Sequence, residues 1–459
     1  MFKKISVLSL LSIFLLTAGF GCKSVSQTEQ ASIKAVKLSY WTVYNDMDEL
    51  RALAQQYTQR YPHVSINIKQ VKYEEFDSLF TNALADDVGP DIVSQHVRWL
   101  RKNQSRLLPA PGVTKMHRIV IANNFSKEQQ FLTDSNALPS ASYIKNNYVQ
   151  TVYDDVVLDK QIYGLPLSMD TLSIFYNQDL LDRAGIAEAP KNWNVFAEDV
   201  QKLTKFNSIG DIIQSGAALG TANNINAATD IIAMFIMQSG LKVASGNTVT
   251  FAAGIDKAQD RNVSILSALD FYTDFARPTK EVYSWNEKKG DALDEFVRGR
   301  VGFYFGYSYD FATIKQRAPQ MNLRIMPMLQ LDPENPSNVA NYWVESVVQK
   351  TKYPNEAWDF VRFITSPENV AKYTEKIVSP SPIRAQITLQ QEDENLGPFA
   401  TQALFAENWY KGKDVDAVAT SFDSMITELL KPADDENDLL KKDKQIIINT
   451  AARIQQTMQ

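Results

Sequence analysis

Between residues 36 and 93 the hydrophobic period switches back and forth between strand and helix, and few architectures accommodate such a pattern. Lys37 to Val43 is a short run of β-branched and aromatic residues, a predicted strand. Asp46 and Asp48 then offer N-caps to a helix in which Leu50, Leu53, Ala54 and Tyr57 recur at helical spacing, closed by Pro62. Val64, Ile66 and Ile68 alternate with polar residues, the period of a strand. Tyr73, Phe76, Phe80, Ala83 and Leu84 return to the helical period, Gly89-Pro90 breaks it, and Asp91-Ile92-Val93 reads as a short buried strand. The order β-α-β-α-β predicts an α/β fold with parallel pairing. Ligands of such sheets sit beyond the carboxyl ends of the strands, here Thr42–Asn45 and Ser94–His96.

The same grammar continues downstream. Ile162–Leu167 is extended, Thr171–Tyr176 is β-rich, and Trp193–Phe206 is amphipathic. Ala228–Ser239 is apolar enough to require a buried helix, Asp291–Arg298 is helical, and Val301–Phe305 is a buried strand. A further helix starts at Asn355, and Asp438–Gln456 is helical. At 459 residues the chain exceeds one ordinary domain.

Composition removes several function classes. With 47 basic and 53 acidic residues the net charge is −6, leaving no cation excess for nucleic-acid binding. A single cysteine, Cys22, excludes an intramolecular disulfide and a Cys-based zinc site. Only three histidines (His63, His96 and His117) argue against hydrolytic metal centres and His-dependent nucleophilic catalysis. No GxGxxG, P-loop, HExxH or GxSxG pattern occurs. Neither a metal nor a cofactor is expected.

The first residues carry an address. Lys3 and Lys4 precede an apolar run from Ile5 to Ala18, shorter than the roughly 20 residues of a membrane span. This predicts a signal peptide over 1–21 and a secreted protein. Gly21-Cys22 resembles the lipobox of bacterial lipoproteins, although Gly19 stands where leucine is usual. The resemblance implies acylation of Cys22 and a lipid anchor in the membrane, where two or more acyl chains give stable attachment. The polar stretch 22–35 reads as a flexible tether.

Several segments, in order, resemble ABC-transporter extracellular solute-binding proteins, family 1. They are Tyr40-Trp41-Thr42, Tyr61-Pro62, Gly89-Pro90-Asp91-Ile92-Val93 and Tyr163-Gly164-Leu165-Pro166-Leu167. Phe175-Tyr176-Asn177-Gln178-Asp179-Leu180-Leu181, Phe296–Phe303, Tyr342-Trp343 and Ala357–Ser366 complete the series. The resemblance implies a periplasmic-binding-protein type II fold: two discontinuous α/β lobes with a hinge between them. By analogy lobe 1 comprises 36–169 and 344–380, and lobe 2 comprises 170–343 and 381–459. The crossings fall near Ser168–Asp170, Tyr342–Val344 and Ser379–Arg384, and hinge closure about a ligand is the expected motion. The implied function is capture of a mono- or oligosaccharide by a monomer and its delivery to the transmembrane subunits of an ABC permease.

A saccharide presents C–H faces and rings of hydroxyls, so its site needs flat aromatic surfaces and groups that donate and accept. Strand ends and crossings supply the candidates. Tyr44 and Asn45 follow the first strand; Gln95 and His96 follow the third, His96 as a neutral hydrogen-bonding group. Asp170 stands at the first crossing, where a carboxylate suits vicinal hydroxyls. Trp285 is a candidate platform in a polar loop, Tyr307 and Ser308 follow the Val301–Phe305 strand, and Trp343 marks the second crossing. Arg384 would bond ligand oxygens or pin the third crossing. Trp193, Trp358 and Trp409 suit helical or surface packing. A polyamine, phosphate ester or peptide ligand in the same fold is the alternative, along with a secreted carbohydrate-active enzyme, which would need two carboxylates flanking a glycosidic bond.

Overall fold

The computed structural model of the protein describes residues 33–123, 128–433 and 435–459. The signal peptide, Cys22 and the tether as far as residue 32 lie outside the described residues. The opening pattern folds as its periodicity predicts: Val36–Thr42 (β1), Met47–Arg60 (α1), Val64–Gln70 (β2), Tyr73–Ala85 (α2) and Ile92–His96 (β3). Asp46 caps α1 by accepting from the Asp48 and Glu49 backbone N–H groups at 3.0 and 2.9 Å. Leu50, Leu53, Ala54 and Tyr57 form its buried stripe. β1 pairs in parallel with both β2 and β3.

A second five-stranded sheet follows. Its main strands are Ser173–Asn177 (β4), Ile212–Ala217 (β5), Val301–Gly306 (β6) and Leu323–Pro327 (β7), and the helices Ala228–Gln238 (α3) and Ser308–Arg317 (α4) lie between them in the chain. The strand order is Lys205–Phe206, β5, β6, β4, β7. β5 and β6 bring Gly216 beside Gly302, and a Cβ on Gly216 would lie 2.3 Å from the Val200 carbonyl oxygen, so only glycine lets the Trp193–Leu203 helix pack this close.

The chain then returns to the first sheet. Trp343–Val348 (β8) pairs antiparallel with β3, giving the order β2, β1, β3, β8, Leu107–Leu108. The first lobe is therefore discontinuous, closed by a strand about 250 residues downstream of its neighbour. Among the elements with no counterpart in the sequence expectations is a long ribbon of Val113–Asn123 and Glu128–Ala137. It is tied to the Pro354–Ile364 helix where Thr114 Oγ1 and Asn136 Nδ2 both donate to Asp359 Oδ1, at 2.9 and 2.8 Å.

Three short strands link the two sheets. Asp170–Thr171 pairs antiparallel with Asn338–Asn341, which pairs in parallel with Ala406–Glu407. Beside them the Met169 N–H donates to the Pro380 carbonyl at 2.9 Å. Residues from three distant parts of the chain thus meet in one narrow waist. Among the described residues no helix is long and apolar enough to cross a membrane.

Candidate functional site

The antiparallel register of β3 and β8 builds one wall of the site. Trp343 stands opposite His96, Val344 opposite Gln95, and Glu345 opposite Ser94. Side chains alternate across a sheet, so neighbours in sequence part company. Trp343 and His96 share the face and end of the sheet that meet the waist, with ring centroids 5.4 Å apart. Gln95 projects from the opposite face, fully buried, where it donates to Ser346 Oγ at 3.1 Å and accepts from Asn103 at 2.9 Å. The expectation that Gln95 and His96 share a site is corrected by this pleat.

Tyr44 and Asn45 divide in the same way. Tyr44 is 66% exposed and meets Trp343 edge-on at 5.3 Å. Asn45 turns inward and is buried. Its Nδ2 donates to Glu345 Oε1 at 2.8 Å, beside the Ser94 hydroxyl, while Tyr40 donates to the other carboxylate oxygen. Asn45 thus braces the wall from beneath. Burial, the leading cause, pushes Glu345 up to about 7 in spite of these donors.

Trp343 is half-buried in a cluster of rings. Trp99 meets it at 5.5 Å and Tyr73 at 6.4 Å, both edge-on, and Trp99 in turn stacks on Phe76 at 5.2 Å. His96 completes the cluster. Its Nε2 lies 2.7 Å from Asn341 Oδ1, and the Arg98 N–H donates to Nδ1 at 3.3 Å. A ring nitrogen that accepts there carries no proton, so the donating nitrogen is Nε2. Burial first, then the Arg98 cation, lowers its pKa to about 3.

The facing wall belongs to the second lobe. Asp170 is buried at the waist, where Oδ2 accepts from the Ser308 N–H (2.9 Å) and hydroxyl (2.7 Å) at the start of α4. Its Oδ1 accepts from the Thr171 N–H at 2.8 Å. Burial raises its pKa to about 7 against those three donors. Tyr307 is buried and donates to Asp230 Oδ2 at 2.5 Å. Tyr309 stacks on Tyr307 at 5.5 Å. It is 60% exposed, yet its phenol is pushed well upward, first by the protein around it and then by Asp310, Asp170, Asp230 and Tyr44. Tyr309 thus presents an exposed ring backed by the buried Tyr307.

Two candidates lie elsewhere. Trp285 is fully buried within the second lobe, where its Nε1 donates to Asn224 Oδ1 at 3.0 Å. It offers no exposed platform, because the polar loop that carries it folds inward. Arg384 is partly exposed and its Nε donates to the Tyr148 carbonyl at 2.6 Å, next to the bridge between Tyr148 and Ile383.

Sequence reasoning missed Arg98, Asp230, Tyr309, Asn341 and Trp409. Trp409 packs neither on a helix stripe nor at the surface: it is buried, with Arg98 over its ring at 4.7 Å and its Nε1 donating to Asp230 Oδ1 at 2.6 Å. For Arg98 and Tyr309 a signal existed, since each lies two residues past a candidate already taken from a strand end. Asp230 and Trp409 carried none. Beside Trp409 lies a cavity of about 380 Å³, lined by Arg101, Gln150, Lys242 and Asn408 among others.

Residues 41–371 match the sequence model of the bacterial extracellular solute-binding proteins. That span is most of the chain. The protein belongs to this family. A binding protein of Brucella abortus is 24% identical over 241 residues, half of this chain and 53% of that one. The multiple sugar-binding protein of Streptococcus mutans is 21% identical over 271 residues, 59% of this chain and 61% of its own. The chain therefore spans between half and two-thirds of the curated relatives it matches. An ABC-transporter solute-binding protein of Thermotoga lettingae, solved with α-D-tagatose, superposes with a TM-score of 0.67 at 16% identity. That match covers 92% of this chain and all of the other, and shows the shared two-lobe fold. Membership in this family and the shared fold both point to a two-lobe solute-binding architecture.

Proposed function

We propose that the protein captures a neutral mono- or oligosaccharide in the interlobe cleft and delivers it to an ABC permease, without chemical conversion. The observation that carries this reading is an exposed ring beside each sheet: Tyr44, edge-on to the half-buried Trp343, and Tyr309, stacked on the buried Tyr307. Two such rings suit the C–H faces of a sugar ring, and Asn341, its Oδ1 held by His96, stands nearby as a polar partner.

The carboxylates argue for a neutral ligand. Asp170 is occupied by Ser308 and Thr171, Asp230 by Arg98, Trp409 and Tyr307, and Asp310 by Tyr304 and the Tyr307 N–H. None is left open to a polyamine, and none is free to serve as one of a catalytic pair. The related proteins described as binding α-D-tagatose and multiple sugars point the same way.

In this reading the lobes divide near residues 169, 343 and 380, the waist is the hinge, and Trp343, Tyr44, His96 and Tyr309 touch ligand, with Asp170 and Ser308 holding α4 in place. Secretion on the 1–21 signal and acylation of Cys22 would tether the protein, as a monomer, outside the cell membrane beside its permease. The test is a thermal-shift screen against saccharides, polyamines and phosphate esters. A ligand at 100 times Kd stabilises by about 2.7 kcal/mol. Stabilisation by a saccharide, recovered unchanged afterwards, is expected. A response confined to polyamines or phosphate esters, or release of a sugar product, overturns the reading.

A further inference from the structure

Three donors converge on the buried carboxylate of Glu345, and one of them comes from the loop that carries Tyr44. Glu345 lies on β8 two residues beyond Trp343, so both side chains leave the same face of the sheet. Ser94 of β3 stands opposite it, and Tyr40 of β1 reaches it across β3. Asn45 Nδ2 and Ser94 Oγ donate to Oε1 at 2.8 and 3.0 Å, and the Tyr40 hydroxyl donates to Oε2. Asn45 Nδ2 also lies 3.1 Å from the Tyr40 hydroxyl and 3.0 Å from the Ser94 hydroxyl. All four residues are buried. The loop between β1 and α1 is held at two further points: Gln70 Nε2 donates to the Val43 carbonyl at 3.0 Å, and the Asp46 N–H donates to the Tyr373 hydroxyl at 3.0 Å. Between them stands Tyr44, exposed and edge-on to Trp343.

We propose that Glu345 is a positioning residue for the solute: its carboxylate, acting through Asn45, sets where the Tyr44 ring stands against Trp343, and holds it most firmly when ionised. This rests on the reading that Tyr44 and Trp343 touch the solute. The reason lies in the donors. A carboxylate only accepts, and Asn45, Ser94 and Tyr40 all present hydrogens to it. Hydrogen bonds to an ionised acceptor are shorter and roughly twice as strong as neutral ones. Protonation turns one acceptor into a donor. An amide N–H cannot accept, so the added proton goes to the Ser94 or Tyr40 hydroxyl, whose own hydrogen then turns away. The Asn45 bond survives without its charge, and the loop is held less tightly. Burial brings this exchange to about pH 7. Burial also pushes the neighbouring Tyr40 and Tyr373 phenols upward, and His96, farther along the same face, stays neutral. The charges at the loop's other end, Asp46 and Glu49, face Tyr373.

Calorimetric titration of the full chain with the saccharide from the thermal-shift screen, at pH 5.5 and 8.5, tests the proposal. The wild type should bind about threefold tighter or more at pH 8.5. E345Q keeps a carbonyl for Asn45 and never ionises, so it should bind at both pH values as the wild type does at pH 5.5. A merely structural role would move affinity equally at both. Should E345Q melt without cooperativity, N45A cuts the link to the loop and should abolish the pH dependence instead. A wild-type Kd that is the same at both pH values, or a pH dependence that the folded variant retains, overturns the proposal. A second readout needs no solute: fluorine NMR of the chain labelled with 5-fluorotryptophan, the Trp343 signal assigned by its loss in W343F. That signal should titrate with a midpoint near 7 in the wild type and stay fixed in E345Q. A Trp343 signal that ignores pH overturns the positioning role. Failure of every saccharide to bind overturns the reading of the cleft instead, and the fluorine signal then decides the role of Glu345.

Discussion

Trp343 meets Tyr44 edge-on, their ring centroids 5.3 Å apart at an interplanar angle of 77°. The two rings are brought together only because β8 returns to lie beside β3. Aromatic pairs of this geometry are worth about 0.5–1.5 kcal/mol beyond area burial, and Trp343 sits in several. Trp343→Ala should therefore weaken binding of the saccharide found in the screen at least tenfold, about 1.4 kcal/mol, while the melt stays cooperative. Titration calorimetry that returns an unchanged Kd would remove Trp343 from the site.

Glu345 makes stability depend on pH in an unusual direction. Its folded pKa, near 7, lies above the ordinary carboxylate value of 4.5. The folded state holds the proton more tightly, so this contribution is fully present below about pH 4.5 and is lost as pH rises to 7. Asp170 acts with the same sign. Glu345→Gln keeps an acceptor for Asn45 and Ser94 and never ionises. Urea titrations across pH 4.5–7.5 should show the variant gaining on the wild type by roughly 1–3 kcal/mol as pH rises. A constant difference would mean Glu345 is already ionised at the low end.

His96 has the opposite sign. Its folded pKa is lowered to about 3 from 6.5. Its contribution to stability is full above about pH 6.5 and is lost as pH falls toward 3. Its imidazole should stay neutral from pH 5 to 8 with the proton on Nε2. Nitrogen NMR of the ring checks this directly, and a titration midpoint inside that window would contradict the buried bond to Asn341.

Ser308→Ala removes one of the donors to Asp170 but spares the backbone N–H. A hydrogen bond to a buried charged group contributes about 1.5–3 kcal/mol. Denaturant unfolding at pH 8, where Asp170 is mostly ionised, should show a loss of that size, shrinking at pH 5. An equal loss at both values would show that the hydroxyl serves something other than the carboxylate.

How much of this was legible in the chain can be judged residue by residue. The periods of 36–93 fixed β1, α1, β2, α2 and β3, because burying one face of each element leaves a local imprint every second or every third to fourth residue. His96, Tyr44, Asp170 and Trp343 were named from strand ends and expected crossings, and any contact of theirs with ligand remains part of the proposed reading. Gln95 and Asn45 were misjudged beside them, since a strand end names a place but the pleat decides which of two neighbours faces it. Trp285 was misjudged because a polar loop can still fold its one large ring inward.

By itself, then, the sequence determined the α/β class, the α-helical and strand periods and the poverty in catalytic side chains. Those properties are local or additive. Only the tertiary structure decided that Trp343 would meet Tyr44, that Trp409 would lie under Arg98, and that Asp230 would gather donors from three chain segments. Such pairings join positions up to about 300 residues apart. They are selected by packing and by the cost of leaving a buried charge or donor without a partner, and neither leaves a periodic trace in the chain.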